Sequence, residues 1–351
     1  MIKISRQIID EIDAASDPRD LHHLVQSAIE LEHATIPTYL TALFSLKPGS
    51  NTEVAAILRS VVMEEMLHMA IASNLLLALG GTPAIDRPGM IPKFPGKLPM
   101  SVDGGMTVHL RKCSIRQVRD VFMKIEQPLE PIKPTKLLAE AATTYATIGE
   151  FYGAIGTALR KLGPAAFARG KFGAQVVDPA WFPAGQLFHI FDLKSALAGI
   201  EMIVEQGEGN SNSVLDPQWV PAHYYRFQQI VEGRLIKYDP DHPGKLSFTG
   251  DPVPFDPDQV HAMVDDPVSP EHLPAGSQAR RLATRFACGY TELLHGLHTA
   301  FSGTPSAIGR TMGLMYQLRT FAQQVLSEPL PDHPGLMTGL SFTYQPSMAP
   351  A

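Results

Sequence analysis

Six side chains in this sequence have the types and spacing of a metal site: Glu32, Glu65, His68, Glu150, Glu208 and His223. The tightest unit is Glu65-x-x-His68, within VVMEEMLHMA. Three residues apart on a helix, a carboxylate and an imidazole leave from one face and can grip the same ion. Carboxylate oxygen and imidazole nitrogen suit iron and accept manganese equally well. An ion held this way with open positions binds dioxygen and does redox chemistry while the protein fixes its geometry. Blander readings exist for each residue. Glu32 could form a buried salt bridge with an arginine such as Arg59. Glu150 could stand at the rim of a close helix–helix contact, and His223 could be a core histidine bonded to backbone. An unpaired buried carboxylate costs several kcal/mol, so a Glu on a core stripe must find a partner or a metal.

The elements that must position these groups are helices. Residues 20–46 place Leu21, Leu24, Val25, Ala28, Glu32, Ile36 and Tyr39 on one stripe, after a cap at Asp20. Pro37 predicts a kink just past Glu32. Lys47-Pro48-Gly49-Ser50-Asn51 is turn chemistry, and a second helix over 51–79 carries Val54, Leu58, Val61, Glu65, His68, Ala72 and Leu75 inward before Gly80-Gly81 ends it. The two form an antiparallel hairpin, in which Glu64, four residues before His68, is a supporting partner for that imidazole. Residues 114–126 suggest a short amphipathic helix. A third long helix over 135–162 sets Glu150 on a face of small residues, Thr143, Ala146, Gly153, Ala154 and Thr157. A fourth over 192–208 brings Glu208 nearest its apolar line and Glu205 furthest, so Glu208 is favoured as ligand, with Glu205 solvated or supporting. A fifth over 217–234 carries His223 on the stripe of Val220, Tyr224, Phe227 and Val231. Because Glu208 and His223 come from two helices rather than a repeated E-x-x-H, one ion and two ions both fit the pattern. Tyr39, Tyr145, Tyr152, Tyr224 and Tyr225 either line an oxidative site or are core aromatics with a polar tip.

Composition bounds the partners. The 351 residues are 44% hydrophobic and 18% charged with a formal net charge of -6, and no basic block offers a footprint for nucleic acid or anionic membrane. Apolar stretches are broken well before membrane-spanning length, and MIKISRQIIDEIDAASDPRD lacks the apolar core of a signal peptide. Two cysteines, Cys113 and Cys288, give no disulfide framework and suit a reducing cytoplasmic setting. Eight prolines fall within 239–274, a segment too rich in Phe and Val for a linker. The expected organisation is all-α: a metal-binding bundle over 1–235, an ordered Pro-rich wrap over 236–276, and a C-terminal helical hairpin over 277–351 packed on the bundle.

Taken together, ELEHATIPTYLTALFS, VVMEEMLHMAIASNLL, ALGGTPAID, IGEFYGAI, EQGEG, HYYRF, FTGDPVPFD, GSQARR and YTELLHGLHTAFSG resemble the ferritin-like iminophenylpyruvate dimer synthase family. That family includes the ferritin-like portion of the enzymes making chromopyrrolate and the violacein precursor. The resemblance runs from about residue 20 to 328 and is densest in the first hairpin and in EQGEG–HYYRF. It implies a ferritin-like four-helix bundle with long Pro-rich loops and an additional C-terminal hairpin. It also implies oxidative coupling of two imine-form aryl pyruvates, and metal ligation by Glu32, Glu65, His68, Glu150, Glu208 and His223. The leading expectation is an oxidoreductase: an iron-dependent oxidase or oxygenase, with one or two ions, acting on a small aromatic or amino-acid-derived substrate with dioxygen. The alternatives are a non-catalytic, ferroxidase-type iron-binding protein and a metal-free bundle of paired carboxylates. Exposed helical hairpins are compatible with a homodimer.

Overall fold

Helical stripes of Leu, Ile, Val and Ala converge on one continuous core that reaches from Ile4 to Phe342. The computed structural model describes residues 4–100, 105–128, 145–183, 185–207, 214–216, 218–238 and 245–345. Among them, α1 (Arg6–Ala14), α2 (His22–Ser45) and α3 (Thr52–Ala78) are followed by α4, α5 (Ile148–Leu162), α6 (Leu193–Gly207) and α7 (His223–Glu232). The chain closes with α8 (Gln278–Phe301) and α9 (Ile308–Leu326). Here α4 denotes the short helix of residues 115–125, whose central turn, Val118–Phe122, is wound as a π-helix.

The α2–α3 hairpin is the spine, and its buried residues run almost the full length of both helices. Each Leu, Ile or Val fully removed from water there contributes about 1.5–3 kcal/mol. α2 passes through Pro37 without a break. Pro37 has no N–H to offer the His33 carbonyl, and nearby hydroxyls engage the backbone instead: Thr35 Oγ1 donates to the Glu32 carbonyl and Thr41 Oγ1 to the Pro37 carbonyl. α3 stops where Gly80 adopts φ +85°, so that Gly80 N–H and Gly81 N–H reach back to Leu77 O and Leu76 O. A Cβ at Gly80 would also come within 2.9 Å of the Arg169 carbonyl.

α6 packs against both α3 and α5, and Tyr152 on α5 reaches Glu32 on α2, so α2, α3, α5 and α6 close a four-helix bundle. α7 lies against α3 and α4 at one end. The α8–α9 hairpin packs on the outside of α2 and α3, held by a hydrogen bond between Tyr290 OH and His33 Nε2 and by Gln323 Nε2 donating to Phe44 O. The Pro-rich stretch before it is ordered in its described part and straps the α2–α3 turn. Lys47 N–H donates to Gln259 O, His261 N–H to Ser45 O, and Asn51 exchanges two bonds with Asp256.

Several boundaries differ from the sequence-based expectation. α1 was not anticipated, although Ile8, Ile9 and Ile12 give its nine residues an apolar face that packs on the core; Ile12 alone of them is fully buried. β1 (Ile4–Ser5) pairs antiparallel with β2 (Tyr145–Ala146), and Thr147 then caps α5, so the third long helix begins at Ile148 instead of running through from 135. Residues 135–144 lie outside the described residues. The fifth helix begins at His223, because Leu215 and Pro221 form a bridge and Asp216 N–H bonds to Val220 O across a tight turn. Residues 172–174 form a 3-10 turn. β3 (Lys237–Tyr238) and β4 (Leu246–Ser247) make a small antiparallel pair.

Candidate metal centre

Five ionisable side chains meet inside the bundle: Glu32 from α2, Glu65 and His68 from α3, Glu126 just past α4, and His223 from the first turn of α7. Their exposure runs from 0% at His223 to 5% at Glu32. They form two triads, Glu32–Glu65–His68 and Glu65–Glu126–His223, and within each triad the potential ligand atoms lie within 4.8 Å of one another. Glu65 belongs to both. The two imidazole rings stack with centroids 5.4 Å apart.

Each group is oriented by a named partner. His68 Nε2 faces the Gln206 side-chain oxygen at 3.0 Å. That acceptor holds the proton on Nε2 and turns Nδ1 toward Glu32 Oε2, 3.6 Å away. His223 Nε2 bonds to Glu64 Oε2 at 3.0 Å, and Arg226 Nη2 holds the same oxygen at 2.8 Å. Tyr152 OH donates to Glu32 Oε1 at 2.6 Å, and Tyr39 OH donates to Glu126 Oε1. The π-helical turn of α4 is followed by one α-helical stretch, Met123–Ile125, before Glu126, whose N–H bonds to Phe122 O. Such turns recur at functional sites because they re-aim the following side chain.

The electrostatics are those of a cluster short of positive charge. Burial, then the neighbouring Glu126 carboxylate and the more weakly acting Glu32, push the Glu65 carboxyl up to about 8. Burial alone would depress His223, yet the Glu126, Glu64 and Glu65 carboxylates raise it well above the usual histidine range. His68 is likewise raised against burial, by Glu32 and Glu65. Burial would raise Glu32, but bonding to His68 and Tyr152 lowers it instead. Burial opposes ionisation of Glu64 too, but His223 and Arg226 bring it down to about 2. Protons therefore occupy places that a cation fills in a ligated cluster.

One atom tests whether a metal fits. His223 Nδ1 is buried and lacks any hydrogen-bond partner, although Glu65 Oε1 lies 3.0 Å away and Glu126 Oε2 3.5 Å away. An imidazole nitrogen without a hydrogen bond, facing two carboxylates, could serve as a ligand to a metal. A cavity of about 20 Å³ adjoins the cluster, lined by Thr35, Ile148 and Ile203 among others. It holds about one water or a diatomic molecule.

Of the six residues singled out in the sequence, Glu32, Glu65, His68 and His223 come together. Glu150 does not. It is the third residue of α5 and closes a capping box: Thr147 Oγ1 accepts from Glu150 N–H, and Glu150 Oε2 accepts from Thr147 N–H at 2.8 Å. Its other oxygen pairs with Arg6 Nη2 at 3.3 Å. A carboxylate in a first helical turn is held by the free backbone N–H groups and the helix dipole. Glu208 lies outside the described residues. Glu205 is half-buried and faces a separate cleft with Glu201. Among the described residues, the polar α6 side chain that bonds to the cluster is Gln206. Glu64 supports His223 rather than His68, and Arg59 is exposed and does not pair with Glu32. Glu126 was missed, although it continues the stripe of Ile115 and Phe122 at the end of the short helix. Tyr39 and Tyr152 line the cluster, whereas Tyr224 and Tyr225 stack edge to face with each other.

No helix among the described residues is long and apolar enough to cross a membrane. The chain is 26% identical to dichlorochromopyrrolate synthase of Lentzea aerocolonigenes, an alignment covering 84% of this chain and 30% of that protein. The chain thus spans under a third of the length of that relative. A ferritin-like protein from Caulobacter vibrioides, solved at 1.95 Å, superposes with a TM-score of 0.60 at 24% identity, covering 93% of this chain and 99% of that one. The ferritin-like family description matches residues 25–232, more than half of the chain and the whole span that supplies the five buried ligand candidates, and the chain belongs to the ferritin-like family.

Proposed function

We propose that this protein is a metal-dependent oxidase whose two metal positions share Glu65. Glu32 and His68 complete one position, and Glu126 and His223 the other. The observation that carries this reading is the pair of buried triads with a common carboxylate, together with the unpartnered His223 Nδ1. Iron is the metal proposed, manganese being the alternative that the same donors accept. When bound, iron supplies redox chemistry toward dioxygen. The chain's own groups do the rest. Gln206 and Glu64 keep the outer imidazole protons in place, Tyr152 and Tyr39 lock the carboxylates, and the surrounding apolar residues exclude bulk water.

The substrate class follows from the similar protein, whose name denotes synthesis of a dichlorochromopyrrolate. We place this chain with enzymes that oxidatively couple imine forms of aryl pyruvates. The cavity at the cluster admits only a molecule of the size of water. An aryl substrate therefore requires displacement of a lining residue such as Ile148 or Ile203. The proposal also places the protein in the cytoplasm.

Elemental analysis of the protein reconstituted with ferrous ion under anaerobic conditions tests the site. Two equivalents of iron, lost in Glu65→Ala and halved in His68→Ala, support it, and no bound metal removes it. Oxygen uptake with imines generated from phenylpyruvate or indolepyruvate then tests the activity. Iron binding without uptake or coupled product from any of them would leave an iron-binding protein of the ferroxidase type.

A further inference from the structure

A second, roomier cavity lies away from the metal cluster. It lies between the outer face of α2 and α3 and the α8–α9 hairpin, with a volume of about 620 Å³. Small-molecule sites of roughly 300–1,000 Å³ are the common range. Its wall is apolar and adaptable. Met63, Met66 and Met69 line it from α3, and Met312 and Met315 from α9. Thioethers fill irregular space and contact aromatic rings favourably. Leu40, Leu293 and Leu294 extend the same surface, and Trp181 and Tyr316 present aromatic faces.

The charged residues on this cavity are all of one sign. Lys47, Arg59 and Arg319 line it, and among the described residues no Asp or Glu does. That one-sided set occurs in a chain whose formal net charge is -6. Lys47 Nζ donates to the Asp258 carbonyl. Arg59 and Arg319 are exposed and have no carboxylate partner among the described residues. Guanidinium is the side chain best matched to a carboxylate, through two parallel hydrogen bonds. At the inner end, His33 and Tyr290 are already committed to each other and, through His33 Nδ1, to the Met90 carbonyl. They therefore leave the deep part apolar in character.

We infer that this cleft binds a small amphipathic monocarboxylate, its hydrocarbon body among the methionines and leucines and its carboxylate at Arg59 and Arg319. Aromatic acids and medium-chain fatty acids share that chemistry. The site stands apart from the metal cluster and needs no metal, so its test and the test of the oxidase reading fail independently.

The experiment is calorimetric titration of the full chain, treated with chelator, with 4-phenylbutyrate and with decanoate, alongside the uncharged 4-phenylbutanol and decanol. Saturable one-to-one binding of a carboxylate is expected, at least tenfold tighter than its alcohol. The double variant Arg59→Gln/Arg319→Gln, which alters only exposed side chains, should weaken it at least tenfold. Leu294→Trp, which fills the cavity, should abolish it. Tighter binding of the aryl acid assigns the site to aromatic ligands, and tighter binding of decanoate to acyl chains. Failure of both acids to bind, equal binding of the alcohols, or binding unchanged in the double variant would overturn the inference. So would a dimer that the double variant dissociates while no acid binds, since the cleft would then belong to a second copy of the chain.

Discussion

Replacing Glu65 by Gln should stabilise the metal-free protein and abolish its response to metal. Glu65 is buried between two other carboxylates, and its carboxyl is raised to about 8 by burial, Glu126 and Glu32. An unfolded Glu titrates near about 4.3. An acid raised on folding binds more protons in the folded state. Its contribution is therefore fully present below about pH 4 and is lost as pH rises through 8. At pH 7 the chain has climbed about 2.7 pH units past the unfolded value, each worth about 1.4 kcal/mol, so folding is disfavoured by roughly 3–4 kcal/mol relative to low pH. Gln is nearly isosteric and has no such proton to lose. Metal-free Glu65→Gln should then exceed the metal-free parent by about 3 kcal/mol at pH 7, a rise in Tm of about 4 °C for a chain of this size. The advantage should vanish toward pH 4. With ferrous ion at about a thousand times its Kd the order should invert, because bound metal then adds about 4.1 kcal/mol to the parent only. Urea denaturation with chelator and with ferrous ion, between pH 4 and 8, measures both. A metal-free variant less stable than the parent at pH 7, or equal metal stabilisation of the two, refutes the reasoning.

The remaining predictions separate the parts of the site. His223→Ala and Glu126→Gln each dismantle one triad and leave Glu32, Glu65 and His68, so bound iron measured by elemental analysis should fall from two equivalents to one; a complete loss or no change argues against two positions sharing Glu65. Glu150→Ala should cost about 1 kcal/mol through the lost cap while leaving iron content unaltered, which denaturation and metal analysis on one preparation can check. His33 is held down to about 4, chiefly by burial and despite its bond to the Met90 carbonyl. An imidazole that stays neutral on folding contributes stability present above about pH 6.5 and lost as pH falls to 4, here about 3 kcal/mol. His33→Gln should flatten that part of the acid limb in chelator-treated protein, and an unchanged limb would show that His33 does not govern it.

The α2–α3 hairpin was legible because its apolar period, the Lys47–Asn51 turn and the Gly80-Gly81 stop all agree, and because Glu32, Glu65 and His68 interrupt an apolar stripe where a charge must be compensated. Glu150 shows how periodicity misleads. Its small-residue face read as inward, yet Thr147-x-x-Glu150 was also a capping signature, and the helix begins there. Glu64 lies four residues from His68, but tertiary packing brings His223 and Arg226 closer to it, and no spacing rule foresees a residue 159 positions away. Glu126 and Gln206 escaped for a related reason. One ends a short helix with a π turn, and the other is an amide beside two more obvious acids. The cavity under the C-terminal hairpin depends on how two hairpins stack, which a one-dimensional pattern does not contain.

Along α2 and α3, consecutive residues serve opposite compartments: Glu32 beside His33, Glu65 beside Met66, His68 beside Met69. Gaining or losing a single residue within either helix would swing these pairs by about 100° and replace the clustered carboxylates and imidazole with the side chains that line the outer cavity. Chain-length drift among relatives should accordingly gather in the connecting segments and spare both helices, whatever else about the molecule changes.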